Sequence, residues 1–206
     1  MRSRVRRGLG AFLALTLTAP TVLAQGPDPL AKLDSSTRAL VLALEDSARA
    51  EGLPANAVLS KAQEGVAKHA SMAAIARAVR TVFLSYREAR QTLGTKADRD
   101  ELAAGAAALQ AGIPTSALTD LRASGHGKSI TVPLVVLADL VTRGVPRDMA
   151  SHTLLQLWTA GASDADLLDL PKAVGQDILS GAAPGDALLN RARTIPLRLP
   201  PGKVPE

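Results

Sequence analysis

The sequence of 206 residues predicts an all-α protein of stacked antiparallel helix pairs, arranged either as a compact helical bundle or as a short α-solenoid. Alanine (38 residues) and leucine (32) are strong helix formers and lead the composition, whereas isoleucine, a β-branched residue, occurs five times. Tripeptides of glycine, an apolar residue and proline recur between the apolar segments. With 47% apolar and 21% charged residues, the chain has the composition of a folded protein.

Residues 1–24 have the three parts of an export signal. Four arginines (Arg2, Arg4, Arg6 and Arg7) precede an apolar run at 9–19, and the run is followed by Pro20 and the small-residue site Val22-Leu23-Ala24. We therefore expect cleavage after Ala24 and a periplasmic or secreted protein. The general secretory route and the twin-arginine route both stay open. The run is shorter than the ~20 residues of a membrane span, so no transmembrane span is expected in the mature chain.

The charge balance changes when the signal is removed. The rest of the chain carries 20 basic and 19 acidic residues, a net charge of +1, so the basic precursor does not indicate a nucleic-acid partner. The absence of cysteine excludes disulfides, thiolate metal sites and a cysteine nucleophile. No cofactor or metal is expected from any motif in the sequence.

After the signal, we predict an extended leader at 25–34, a single all-helical domain at 35–193 and a proline-rich tail at 194–206. Apolar periodicity and helix-capping residues predict helices at about 36–51, 54–67, 71–93, 98–111, 114–124, 132–143, 146–160, 164–180 and 184–193. A break at Pro171 is left open. Asp98 and Glu101 have the spacing of a capping box, and Ser163 precedes Asp164 and Asp166 at a helix start.

The turns between these helices repeat. Gly-Leu-Pro at 52–54, Gly-Ile-Pro at 112–114 and Gly-Val-Pro at 144–146 share one pattern, and 161–163 and 181–184 are looser copies. The glycine is expected to close one helix in the left-handed conformation, and the proline to open the next. Gly127, Gly144 and Gly161 follow one another at intervals of 17 residues, and His69 stands 17 residues after Gly52 in a degenerate copy. Two such units form a helical hairpin of about 34 residues.

Residues 132–143 are expected to form the central helix. Asp139, Thr142 and Arg143 fall on one narrow polar strip, and the other positions are mostly apolar. The Gly-apolar-Pro turns, together with residues 132–146 (VPLVVLADLVTRGVP), resemble exported alanine-rich helical-repeat proteins of bacteria that have no assigned function. The resemblance covers about residues 49–183. It implies the fold and the compartment, and no reaction.

Three places are candidates for binding, and none provides a set of catalytic residues. The predicted helix at 71–93 carries a basic flank of Arg77, Arg80 and Arg87, with Arg90 nearby, which would suit an anionic surface. Gly125, His126 and Lys128 belong to a glycine-rich segment that lacks the first glycine of a Walker motif, because Arg122 occupies that position. His152 is expected to face solvent with Asp148 one turn before it.

These observations favour an exported, non-enzymatic helical-repeat protein that acts as a binding or structural module in the cell envelope. Its partner is expected to be another envelope protein, with an anionic surface as a further candidate. The alternative is an enzyme with a dispersed site, or a small-ligand carrier, in the periplasm. A cavity gathering two or more of the three candidate places would favour this alternative.

Overall fold

The computed structural model describes residues 30–125 and 127–196, and these ranges contain helices and no strand. The predicted all-α fold is therefore confirmed. The helices are α1 (Ser35–Ala50), α2 (Ala55–Ala67), α3 (Met72–Leu93), α4 (Arg99–Gln110), α5 (Thr115–Ser124), α6 (Thr131–Thr142), α7 (Arg147–Thr159), α8 (Asp164–Leu179) and α9 (Pro184–Ala192). The predicted export signal at 1–24 and residues 197–206 of the predicted tail lie outside the described residues.

The recurring glycines end helices in the way their sequence pattern predicts. After α4, Gly112 has φ +83°, its N–H donates to Leu109 O at 2.9 Å, and the N–H of Ile113 donates to Ala108 O at 3.1 Å. This pair of bonds is the Schellman motif, which satisfies carbonyls that a helix end leaves free. The same two bonds close α1, α2, α6, α7 and α8. At the end of α2 the left-handed residue is His69, with φ +54°.

The buried residues form two cores that share α3. The first core lies among α1, α2 and the first half of α3 and includes Val41, Ile75 and Phe83. The second core runs from the end of α3 to α9 and includes Leu137 and Leu188. Tyr86 of α3 packs against both cores, so this 22-residue helix joins them.

From α3 onward, each helix contacts the helix two places further along the chain. One row consists of α3, α5, α7 and α9, and the other row consists of α4, α6 and α8. Contacts of α3 with α4, of α6 with α7 and of α8 with α9 join the rows. Alternating rows of this kind are typical of α-solenoids. Among the described helices, the main contacts of α9 are with α7 and α8, whereas those of α6 are with α4, α7 and α8.

The helix α6 lies in the middle, as predicted. It contacts α4, α7 and α8, and Leu134, Leu137 and Leu140 are completely buried. The predicted polar strip is also present, because Asp139 and Arg143 form an ion pair at 3.0 Å outside the core. The helix α8 runs through Pro171 without a break. Its buried residues on both sides of the proline pack into the second core, and this packing offsets the missing N–H.

Candidate functional site

The row formed by α5, α7 and α9 presents a surface with two depressions, one on each side of α7. We call this surface the grooved face. Between α7 and α9 lies a groove of about 720 Å³ whose wall is mainly apolar. It is lined on α7 and its C-cap by His152, Thr153, Leu155, Gln156, Leu157, Thr159 and Ala160, and on α9 and its C-cap by Leu189, Ala192 and Arg193. Leu189 keeps 37% of its surface exposed.

Between α5 and α7 lies a smaller hollow of about 240 Å³ with a polar rim. Asp120 of α5 and Asp148 of α7 are exposed at this hollow, beside Ser116 and Ser151. His152 and Leu155 line both the hollow and the groove. The grooved face therefore places an apolar groove next to an acidic hollow.

His152 is exposed on the ridge of α7, as the sequence predicts. Its helix forms where it does because Pro146 precedes the first turn and Ala150, Leu154 and Leu157 turn toward the second core. Among the hydrogen bonds and ion pairs of the described residues, none joins His152 to Asp148 or to a serine hydroxyl. A general base requires such a partner or a bound substrate. The geometry places His152 at the border of both depressions of the grooved face.

The glycine-rich segment forms a turn between α5 and α6. Gly125 is buried at the end of α5, Gly127 has φ +84°, and the N–H of Lys128 donates to Gly125 O at 2.9 Å. Lys128 is exposed, and His126 lies outside the described residues. A Walker loop follows a strand, whereas this turn follows a helix.

Glu101 and Arg122, which the sequence does not connect, form an ion pair beside this turn. Arg122 Nη1 and Nη2 donate to Glu101 Oε1 and Oε2 at 3.1 and 2.5 Å, and the N–H of Ile130 donates to Oε1 at 3.1 Å. The side chain of Glu101 is 5% exposed and that of Arg122 is 30% exposed. Three segments, α4, α5 and the start of α6, therefore meet at one carboxylate.

The electrostatics of this pair favour the ionised carboxylate. Burial would raise the pKa of Glu101, but the hydrogen bonds from Arg122 and Ile130 outweigh it, and the pKa lies below its usual value. The capping-box prediction for Asp98 and Glu101 is half right. Asp98 accepts the N–H of Glu101 at 2.8 Å, but the Glu101 side chain bonds mainly to Arg122 and Ile130, and the N–H of Asp98 contributes least to holding it. The full capping box occurs at Ser163 and Asp166.

A cavity of about 630 Å³ adjoins the pair, and Lys96, Gly127 and Ser129 contribute to its wall. Glu101 accepts three hydrogen bonds, two from Arg122 and one from the N–H of Ile130. The pair therefore joins α4, α5 and the start of α6.

The arginines of α3 have different environments. Arg77 and Arg80 are exposed. Arg87 pairs with Glu51 at 3.1 Å and lies 5.8 Å from the centre of the Phe83 ring. Arg90 donates to the carbonyls of Gly94, Thr95, Ala97 and Gly52, so it ties the end of α3 to the turn after α1. Of the predicted basic flank, Arg77 and Arg80 carry charge that is available to a partner.

None of the cavities described for residues 30–125 and 127–196 is lined by more than one of the three candidate places. His152 lines the depressions of the grooved face, Gly127 of the glycine-rich segment lines the cavity beside Glu101, and the arginines lie on α3. In residues 30–125 and 127–196, no three acidic or histidine side chains are grouped to hold a metal ion. None of the helices in these ranges combines the length and apolarity needed to cross a membrane.

Comparison of the chain with protein-family models, with curated proteins and with solved structures gave no match. The resemblance to exported helical-repeat proteins therefore stays a prediction from the sequence.

Proposed function

We propose that this chain is a helical-repeat binding module that takes up a segment of a partner protein on its grooved face. The observation that carries the proposal is the apolar groove of about 720 Å³ between α7 and α9, which has an exposed leucine, Leu189, at its edge. Exposed apolar grooves between helices suit the apolar side of a partner helix. Repeat proteins commonly bind through extended surfaces of this kind.

The acidic hollow beside the groove defines the partner further. Asp120 and Asp148 lie at its edge, and neither carboxylate has a basic side chain as an ion-pair partner among the described residues. A lysine or arginine of the partner would form an ion pair with one of these carboxylates, and apolar residues of the partner next to it would fill the groove. We therefore expect a segment that carries apolar side chains and a basic residue about one helical turn apart.

In this proposal the partner is another protein of the cell envelope. The reason is the sequence of residues 1–24, which has the pattern of an export signal. The mature protein and its partner would then meet in the periplasm or outside the cell.

Site-specific photo-crosslinking in the host tests the proposal. A photoreactive amino acid is placed at Gln156 of α7 or at Leu189 of α9, both on the wall of the groove. The matched control is Lys172, which is exposed on α8 in the other row. We expect one protein to be crosslinked from both groove positions and not from Lys172. Identical adducts from all three positions would contradict the proposal.

The crosslinked protein is then purified and titrated against the mature chain. We expect Leu189→Asp to weaken binding about tenfold or more, because it puts a charge into an apolar contact. Lys172→Ala serves as the control and should leave the affinity unchanged. If Leu189→Asp binds as well as the unchanged chain, the groove is not the binding site.

The size of the groove also favours a second candidate, a carrier of a small apolar ligand. Pockets for small molecules have volumes of about 300–1,000 Å³, and this groove falls in that range. Native mass spectrometry of protein purified from its host separates the two candidates. A bound small molecule that Leu189→Asp removes would support the carrier, whereas unliganded protein with a crosslinked partner would support the binding module.

A further inference from the structure

The outer face of α3 combines exposed arginines with an exposed leucine. On an α-helix, residues 77, 80, 84 and 87 fall within one arc of about 80°. Arg77, Arg80 and Arg87 are exposed there, and Leu84 in the same arc keeps 55% of its surface in solvent. We call these four residues the arginine face. Its apolar neighbours Ile75, Val79 and Phe83 point the other way, into the first core.

Within the described ranges, two of the three arginines have no carboxylate partner. Arg49 pairs with Glu45 and Asp46, and elsewhere in the described ranges Arg122, Arg143 and Arg191 also pair with acidic side chains. In the same ranges neither Arg77 nor Arg80 takes part in an ion pair. Arg87 shares its charge with Glu51, and Glu88 is exposed at the edge of the face. The available positive charge is therefore concentrated around Arg77 and Arg80.

We infer that the arginine face is a contact site for an anionic lipid surface. Guanidinium groups form paired hydrogen bonds with phosphate oxygens, and a basic side chain near an anionic membrane gains attraction from the surface potential. Leu84, between the arginines, can enter the boundary between headgroups and acyl chains, where an apolar side chain is stabilised. An acidic protein would use the charges and would gain less from a single exposed leucine on a convex helix.

This inference does not depend on the proposed function. The arginine face lies on α3 at the start of the stack, whereas the groove lies between α7 and α9 at its end. The grooves and cavities described above are not lined by Arg77, Arg80 or Leu84. A protein partner in the groove and a lipid contact at α3 can therefore be tested separately.

The test is sedimentation of the mature chain with vesicles of phosphatidylcholine, with and without phosphatidylglycerol, at low and high salt. We expect binding to the vesicles with phosphatidylglycerol that weakens as salt increases. Each arginine near an anionic surface contributes about a fivefold change in affinity, so Arg77→Ala with Arg80→Ala should weaken binding about 25-fold. The control is Arg99→Ala with Lys172→Ala, which removes the same charge at exposed positions outside the arginine face.

A second variant distinguishes lipid from a polyanion. Leu84→Ser leaves all charges in place and should weaken vesicle binding about threefold or more if the leucine enters the bilayer boundary. Its binding to polyglutamate should not change. Equal sedimentation with both kinds of vesicle would overturn the inference, as would equal losses for the arginine pair and its control. Vesicle binding that Leu84→Ser leaves unchanged would also overturn the inference, because the arginines would then attract any polyanion and the leucine would not enter the bilayer boundary. Circular dichroism confirms that each variant is folded.

Discussion

The middle of the stack and its C-terminal end are built from the same helices and turns but differ in what covers them. Around α6, leucines from three neighbouring helices close the second core, and the ion pair of Glu101 and Arg122 joins α4 and α5 with little exposure. Around α9, Leu189 stays exposed, and the ion pair of Asp177 and Arg191 is 26% and 41% exposed. The same interactions are therefore expected to stabilise the middle more than the end.

The same difference separates the region that stabilises the fold, around α6, from the region that we propose binds a partner, beside α9. In the middle, α6 is covered on both sides by α4 and α8 of its own row, and Leu134, Leu137 and Leu140 are completely buried, although Val135 keeps 44% of its surface exposed. Among the described helices, α9 contacts α7 and α8, and the apolar groove lies between α9 and α7. The groove is the place at which the proposed partner would dock, whereas the buried leucines of α6 contribute to the stability of the fold.

The largest effect is expected from a cavity in the middle. Leu137→Ala removes a completely buried side chain of α6 and should lower the free energy of unfolding by about 2–5 kcal/mol. Leu189→Ala at the end should lower it by less than about 1 kcal/mol, because the leucine is already partly exposed. Denaturant unfolding followed by circular dichroism measures both. Equal losses would mean that the end is packed as tightly as the middle.

The two ion pairs give the next largest effect. Glu101→Ala leaves Arg122 and the N–H of Ile130 without their acceptor in a buried place and should cost about 3 kcal/mol. Asp177→Ala breaks a pair with better access to water and should cost at most about 1 kcal/mol. The same unfolding measurement checks both variants. The comparison fails if Asp177→Ala is the more damaging of the two.

The pH dependence sharpens the comparison further. Because the pKa of folded Glu101 lies below its value of 4.5 in an unfolded chain, its pairing stabilises the fold fully above that value. The stabilisation is lost as the pH falls through the lowered pKa. Glu101→Gln should therefore be less stable than the unchanged chain at about pH 7, and the difference should shrink at about pH 3. Arg191 lowers the pKa of Asp177 in the same way, through a hydrogen bond to its carboxylate. Because this pair is more exposed, Asp177→Asn should lower the free energy of unfolding by less than Glu101→Gln at neutral pH. A gap for Glu101→Gln that does not depend on pH would contradict this.

The smallest effect is expected at the turns, where the two regions are alike. Gly112→Ala in the middle and Gly181→Ala at the end should each cost about 1 kcal/mol, because both residues have positive φ. The cost at Gly112 should be slightly larger, since an added Cβ would lie 2.8 Å from Arg147 Nη1. The reverse change, His69→Gly, should stabilise the chain by about 0.5–1 kcal/mol. Thermal unfolding detects all three changes. A lower unfolding temperature for His69→Gly would contradict the expectation that the positive φ of His69 destabilises the folded chain.

Much of the fold could be predicted because its signals lie close together in the sequence. The turn glycines, the alanine and leucine content and the polar strip of α6 each depend on residues within one or two helical turns. The spacing of 17 residues from Gly52 to His69 predicts a degenerate copy of the glycine turn at His69, and the φ of +54° at this residue agrees. Whether α8 breaks at Pro171 could not be predicted, because the helix is held continuous by packing against residues distant in the sequence.

The ion pair of Glu101 and Arg122 could not be predicted. The two residues are separated by 21 positions, and Glu101 already had a local explanation as part of a capping box. The grooves were missed for a similar reason, because the residues that form their walls come from α5, α7 and α9. His152 was selected from its exposed position, but the sequence does not show that it borders two depressions.

The Schellman turns at the ends of the described helices also have a consequence for how the chain folds. Each Schellman turn is closed by hydrogen bonds between residues three and five positions apart, so a helical hairpin forms by closing a very short loop. Chains dominated by such local contacts fold in microseconds to milliseconds. Because several hairpins are closed in the same way, folding can begin at any of them and spread to its neighbours.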